Sequence, residues 1–233
     1  LGLLGWNPGL KTPDGKDLEK FDTAFLAQHF DIDRIGKSSA KFDRKKLEAF
    51  NADYLATLTD AEFGRRLRQW CADSGARHAS TRRPCERILS LDDRKLAWLV
   101  TSIRARTRKF ADIVASTAFL SRDDNATDFD PKAADKNLKA DNNAGLALLR
   151  ELRAALAALT DWTPAALHTL FETQATARGL VTDKGPNIGP IAQPLRVAIA
   201  GSAVTPPLGE TLAILGRDST LRRIDTCLSR VGV

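Results

Sequence analysis

Apolar residues fall at intervals of three and four along most of this chain, and most such runs are bracketed by residues that start or stop helices. Leu18–Phe30 carries them at 18, 21, 25, 26 and 30, and Phe42–Leu58 at Phe42, Leu47, Phe50 and Tyr54/Leu55. Thr59-Asp-Ala-Glu62 has the spacing of a capping box and predicts a helix through Trp70. Ser90-Leu-Asp-Asp93 is a weaker version, ahead of a helix predicted to reach about Leu120. Gly145–Thr160 is rich in Ala and Leu; Thr163-Pro164 caps a helix that Gly179 ends. Further helices are predicted at about 193–200 and 206–215 and over Ser219–Arg230, with a short one at Pro131–Leu138. Gly2–Trp6 reads as a short helix end, and no stretch reads firmly as a strand. The pattern predicts a mainly α fold.

The 233 residues suffice for one large domain or two modest ones. No apolar run approaches a membrane span. Cys71, Cys85 and Cys227 are odd in number and far apart, which argues against a disulfide framework or a zinc site and points to a reducing, cytoplasmic setting. The chain contains no Met and does not begin with one, which reads as a fragment.

The formal net charge of +6 is concentrated. Residues 61–120 hold 13 Lys/Arg against 6 Asp/Glu, and the rest is close to neutral. That segment is dominated by Arg, whose planar fork suits phosphate oxygens and base edges, so an acidic partner is expected. Catalytic constellations are nearly absent. His29, His78 and His168 stand far apart, with no partner at metal-ligand spacing. Gly36-Lys37-Ser38-Ser39 is no phosphate loop, because Asp31 occupies the position of its first Gly and no strand precedes it. The residues alone describe a binding module.

Near the C-terminus, Gln193-Pro-Leu-Arg196 opens an apolar helix that Gly201 breaks, and Thr205-Pro206-Pro207 reads as a cap with helix-start prolines. Arg196 and the loop to Leu208 thus sit at adjoining ends of two rigid elements. This stretch resembles the C-terminal end of bacterial glutamyl-tRNA synthetases, with their Q-P-L-R-x-A-x-x-G and S/T-P-x-L motifs. Leu4-Gly-Trp6, then Phe30-Asp-Ile-Asp-Arg34-Ile-Gly-Lys37-Ser-Ser-Ala40-Lys-Phe42-Asp43-Arg-Lys-Lys46-Leu47 and Asn51, are similar to the segment that follows that family's ATP-binding loop. Asp161-Trp162-Thr163 and Leu215–Ile224 match its later helices. The His-Ile-Gly-His-type and Lys-x-Ser-Lys motifs of its catalytic half have no counterpart here.

The resemblance implies a helical stem-contact subdomain (1–58) followed by a two-part, all-helical anticodon-binding region (59–140 and 141–233). Its partners would be tRNA(Glu) and a missing N-terminal catalytic domain, in a monomeric cytoplasmic protein with no membrane contact. No cofactor is expected in this chain, while the full enzyme would use ATP and Mg²⁺. Arg196, Thr205, Pro206 and Leu208 would hold the first anticodon bases, and Arg106 the last. Arg104 or Arg108 could take that role, because three arginines recur at a spacing of two. Lys37, Lys41 and Lys45, with Arg104 and Arg108, could reach phosphate; Phe42 and Leu47 would be core. The alternatives are a free-standing helical scaffold for an acidic protein, and a catalytic protein in its own right.

Overall fold

The computed structural model describes residues 3–36, 41–73 and 77–231. The chain divides into two compact units, Leu1–Tyr54 and Leu55–Val233.

The first unit is mostly loop. Residues 3–5 form a turn rather than a helix end, with Gly5 at φ 85°. An isolated bridge pairs Lys11 with Asp17, and helix α1 begins only at Thr23 and runs to His29. The start predicted at Leu18 is five residues too early, because Asp22 caps the helix, accepting from Phe25 N at 2.7 Å. Helix α2, Arg44–Thr57, starts behind Asp43, whose carboxylate accepts from Lys45 N and Lys46 N. Trp6 is the buried hub, edge-on to Phe21 at 5.9 Å and tilted against Phe30 at 5.7 Å. Phe42 and Leu47 are not core: they are 47% and 46% exposed. The small hydrophobic centre is built on Trp6, and a helical apolar stripe does not guarantee a surface to pack on.

The second unit is helical. Its first core joins α3 (Asp60–Asp73), α4 (Ala79–Leu89), α5 (Asp93–Ile103) and α6 (Phe110–Ser116) around Phe63, Leu67, Ile88, Leu99 and Ile113. The second core lies among α8 (Ala140–Ala158), α9 (Pro164–Ala177), α10 (Gly189–Ala200), α11 (Leu208–Leu215) and α12 (Arg217–Val231). Thr59 caps α3 through Glu62 N at 3.2 Å, but the Glu62 carboxylate turns to Arg65 and Arg66, so the capping box is half made. Helix α4, which carries Pro84 inside it, escaped the periodicity reading because proline normally marks a boundary. The cap of α5 is Asp92 rather than Ser90, accepting from Lys95 N at 2.8 Å.

The long helix predicted to Leu120 is broken into pieces. After Ile103 the chain makes a 3₁₀ turn, Arg104–Arg106, and Thr107 turns extended while its buried hydroxyl donates to the Ile103 carbonyl. Helix α7, Pro131–Ala134, continues into a π-turn. Asp141, Asn142 and Asn143 then take left-handed backbone at φ 50°, 57° and 64°, residue types that tolerate it better than most. The kink brings Gly145 against Asn137–Leu138, where a Cβ would lie 2.0 Å from the Asn137 carbonyl oxygen. Residues 180–189 contain a small hairpin, β1 (Val181–Thr182) antiparallel to β2 (Gly185–Pro186). Helix α10 begins four residues earlier than predicted, with Pro190 in its first turn, where no N–H is needed.

Buried Arg223 ties the unit together. Its guanidinium donates to the carbonyls of Phe119, Ile199 and Arg122 and to the Asp124 carboxylate. The three cysteines are free and buried; burial pushes the Cys227 thiol up to about 12 and raises those of Cys71 and Cys85.

Candidate nucleic-acid interface

Helix α10 buries Ile191, Ala192, Leu195, Val197, Ala198 and Ile199, leaving Gln193 and Arg196, one turn apart, on its less buried side. The helix ends at Gly201, in left-handed backbone at φ 73° with its N–H bonded to the Val197 carbonyl. Glycine is required here twice over. The φ disfavours any side chain, and a Cβ would stand 2.7 Å from Arg122 Nη1 and 2.8 Å from the Asp128 carbonyl oxygen.

The chain then loops back through residues 202–207. Arg196 Nε donates to Thr205 Oγ1 at 3.2 Å, and the Thr205 hydroxyl donates to the Pro206 carbonyl at 2.8 Å. Thr205 is therefore a bridge between helix and loop, not a helix cap. The N-cap of α11 is Pro207, and Thr211 back-bonds to its carbonyl at 2.9 Å.

Among the described residues, Thr205 is the one hydrogen-bond partner of Arg196. Burial lowers the pKa of that guanidinium, which nevertheless stays charged because its reference value is so high. This half-buried cation has a single neutral partner, and its remaining donors have no hydrogen-bond acceptor among the described residues. Three residues earlier, Gln193 Oε1 is buried with no hydrogen-bond partner among the described residues. Sequence reasoning missed it, although it stands in the same Gln-Pro-Leu-Arg run; only burial reveals the unmet acceptor. Pro206 and Leu208 are buried, so the Leu208 side chain serves the core and its backbone is what it offers at the loop.

The three arginines after α5 separate by environment. Arg104 donates to Asp60 at 2.5 Å and to the carbonyls of Ala56 and Leu58, stitching the start of the unit to the end of α5. Arg108 also interacts within the chain. Arg106 is exposed and, among the described residues, has no hydrogen bond or ion pair. Lys41 and Lys45 are exposed on the first unit. Lys37, with the rest of Lys37–Ala40, lies outside the described residues.

Much of the Arg surplus is spent internally. Arg65 and Arg66 grip Glu62 and hold its carboxyl at about 2. Arg68 pairs with Asp93 and the Leu91 carbonyl, and Arg94 lies 5.2 Å over the Trp98 ring. Among the described residues no group of three or more His, Cys, Asp or Glu could hold a metal ion, and no helix is long and apolar enough to cross a membrane.

Residues 62–228 match the family described as "Anticodon binding domain". The chain is 34% identical over 232 residues to a glutamate–tRNA ligase of Mycolicibacterium paratuberculosis, covering 100% of this chain and 42% of that relative. It is 32% identical over 229 residues to one of Anaeromyxobacter sp. strain Fw109-5, covering 98% and 42%. The solved structure of a glutamate tRNA ligase from Elizabethkingia meningosepticum shares the fold, with a TM-score of 0.71 at 21% identity over 98% of this chain and 39% of that one. The chain thus spans about two fifths of the length of these relatives, and the scaffold alternative gains no support from them. With its helical cores, its α10–α11 junction and a match across residues 62–228, this chain belongs to the anticodon-binding domain family, in the form found in glutamate–tRNA ligases.

Proposed function

We propose that this chain is the tRNA-binding part of a glutamyl-tRNA synthetase and reads the anticodon at the α10–α11 junction. The observation that carries the reading is the Arg196 guanidinium, half-buried and held by Thr205 alone among the described residues. A desolvated cation with unused donors gains most from an acceptor on a base edge. Unstacked anticodon bases present such edges. Arg196, Thr205 and the main chain at Pro206 and Leu208 take the first two bases, and Arg106 takes the last. The commitment of Arg104 to Asp60 supports Arg106 as the reader. Lys37, Lys41 and Lys45 contribute phosphate contacts from a stem-contact segment, residues 1–58, ahead of helical parts 59–140 and 141–233.

The whole protein would activate glutamate with ATP and Mg²⁺ and esterify it to the tRNA 3′ end, as a cytoplasmic monomer. The chemistry would belong to a catalytic domain outside this chain. Exposed Leu4, Leu10, Phe30, Ile32, Phe42 and Leu47 on the first unit support a further protein surface as partner, since apolar side chains gathered in one small unit mark interaction sites.

The test is binding of the full chain to tRNA(Glu), and to the same tRNA with its last anticodon base changed from C to G, at two salt concentrations. Arg196→Ala should cost roughly ten- to a hundredfold in affinity with little change in salt slope. Salt-insensitive or absent binding of both tRNAs would overturn the reading.

A further inference from the structure

Away from the α10–α11 loop, the second unit holds a polar cleft of about 490 Å³ walled by α4, the start of α5, residues 120–125, the end of α11 and the start of α12. Beside it lies a hollow of about 370 Å³ that shares Arg87, Ser90, Arg122 and Asp123 with it and adds Arg83, Glu86 and Ser121. The cleft meets α11 at Ile214–Leu215, whereas the Thr205–Leu208 loop meets its first turn. An eight-residue helix is roughly 12 Å long, so the two places are separate.

The charges in the cleft are unequally committed. Asp124 is engaged by Arg222 and Arg223 at 2.9 and 2.7 Å. Asp92 caps α5, and Asp123 accepts from Asn125 N at 2.8 Å. Arg122 is held by Asp128 at 2.8 Å and lies over the Phe129 ring. Among the described residues, Arg83, Arg87 and Lys95 are left with no side-chain hydrogen bond or ion pair, against one uncommitted acid, Glu86. Arg83 and Arg87 stand one turn apart on α4. Lys95 Nζ reaches the α11–α12 corner, 3.9 Å from where a Cβ on Gly216 would be. Ser121 Oγ is buried with no hydrogen-bond partner among the described residues. Three unspent cations and a hydroxyl line the cleft and the adjoining hollow, with Arg87 common to both, and offer forked and point donors of the kind that suits the oxyanions of a phosphate-bearing ligand.

We propose that this cleft and the adjoining hollow form a phosphate-binding site of nucleotide size, in which Arg87 and Lys95 in the cleft and Arg83 in the hollow take the oxyanion charge and Ser121 Oγ donates to it. The phosphate belongs either to a free pyrophosphate-bearing molecule or to the backbone of an RNA strand lying outside the anticodon pocket.

Calorimetric titration of the full chain with sodium pyrophosphate, and separately with tRNA, tests this on wild type, on Arg87→Gln/Lys95→Gln and on Arg196→Ala. All three altered positions lie at least partly at the surface, and thermal melts verify that each variant is folded. Pyrophosphate should bind wild type and Arg196→Ala alike and bind the double variant at least tenfold more weakly. A matching loss of tRNA affinity, with the log–log salt slope reduced by about 2, identifies the phosphate as an RNA backbone. Unchanged tRNA affinity identifies it as a free ligand. Ser121→Ala, which leaves every cation in place, should weaken pyrophosphate severalfold. Absence of pyrophosphate binding together with unchanged tRNA binding by the double variant would overturn the proposal, as would equal displacement by polyglutamate. Because the pyrophosphate arm needs no anticodon, its result stands whether or not tRNA binding depends on Arg196.

Discussion

Arg223 Nε donates to Asp124 Oδ1 across 2.7 Å, closing a loop of 99 residues inside a site where the arginine side chain is 3% exposed. Breaking such a pair leaves a buried cation without its counter-charge. We expect Asp124→Ala to destabilise the second unit by about 3 kcal/mol, read by urea denaturation. A loss below about 0.5 kcal/mol would mean that the three carbonyls around Arg223 suffice without the carboxylate.

The same contact sets a pH dependence. Burial raises the Asp124 pKa, but hydrogen bonds from Arg223, Arg222 and Ser219 outweigh it and hold the carboxyl below the ordinary carboxylate range. A depressed folded value contributes stability above the unfolded pKa, which is lost as pH falls through the folded one. Melting temperature should therefore drop below about pH 4, and more steeply in wild type than in Asp124→Ala. Parallel acid profiles for the two proteins would remove Asp124 from the account.

Arg104 and Arg106 should fail in different ways. Arg104→Gln gives up its Asp60 and backbone contacts and should cost about 1–2 kcal/mol of stability while leaving discrimination at the last anticodon base intact. Arg106→Gln should leave the melting temperature unchanged and bring the C and G forms of tRNA(Glu) to within about threefold in affinity, from a starting preference of about tenfold. The opposite assignment of effects would move the reading residue to Arg104.

Gln193 gives a sharper test of the α10–α11 site than a charged residue does. Its buried Oε1 lacks a partner among the described residues, so Gln193→Leu removes an unmet acceptor at little or no cost in stability. If the amide completes the anticodon pocket, tRNA affinity should fall by about tenfold. Unchanged affinity would leave the orphan acceptor without a role in recognition.

Gly145 and Gly179 separate steric from conformational demand. Gly145→Ala sets a methyl against the Asn137 carbonyl and should prevent the kink after α7, with a loss above about 3 kcal/mol. Gly179 has φ +69° and open space around it, so Gly179→Ala should cost only about 1 kcal/mol of backbone strain. Comparable melts for the two variants would show that the turn at 137–145 relaxes freely.

What the sequence made legible follows the range of the forces involved. Local signals were reliable: Thr163 caps α9 through Ala166 N, and Gly179 and Gly201 end their helices in left-handed backbone. Adjacency of Arg196 and the Thr205 loop also followed from helix ends alone, and the two side chains do meet. Long-range partners were invisible. Nothing near Arg104 announces carbonyls at Ala56 and Leu58, so the apolar pattern predicts an α5 longer than Asp93–Ile103. Nothing near Phe42 says that the first unit would gather on Trp6 instead. Pro84 shows the limit of a local rule, since α4 tolerates it within a buried turn.

Helix α11 carries Leu212 and Ala213 into one core and Ile214 into the other, with Trp98 packed against both. The Thr205–Pro207 loop is spliced directly onto its first turn. On the proposed reading, a base bound at that loop would push on a lever whose far end is clamped in both cores. If the two cores respond as one mechanical body, amide-exchange protection gained on tRNA binding should spread through α5 and α9 together.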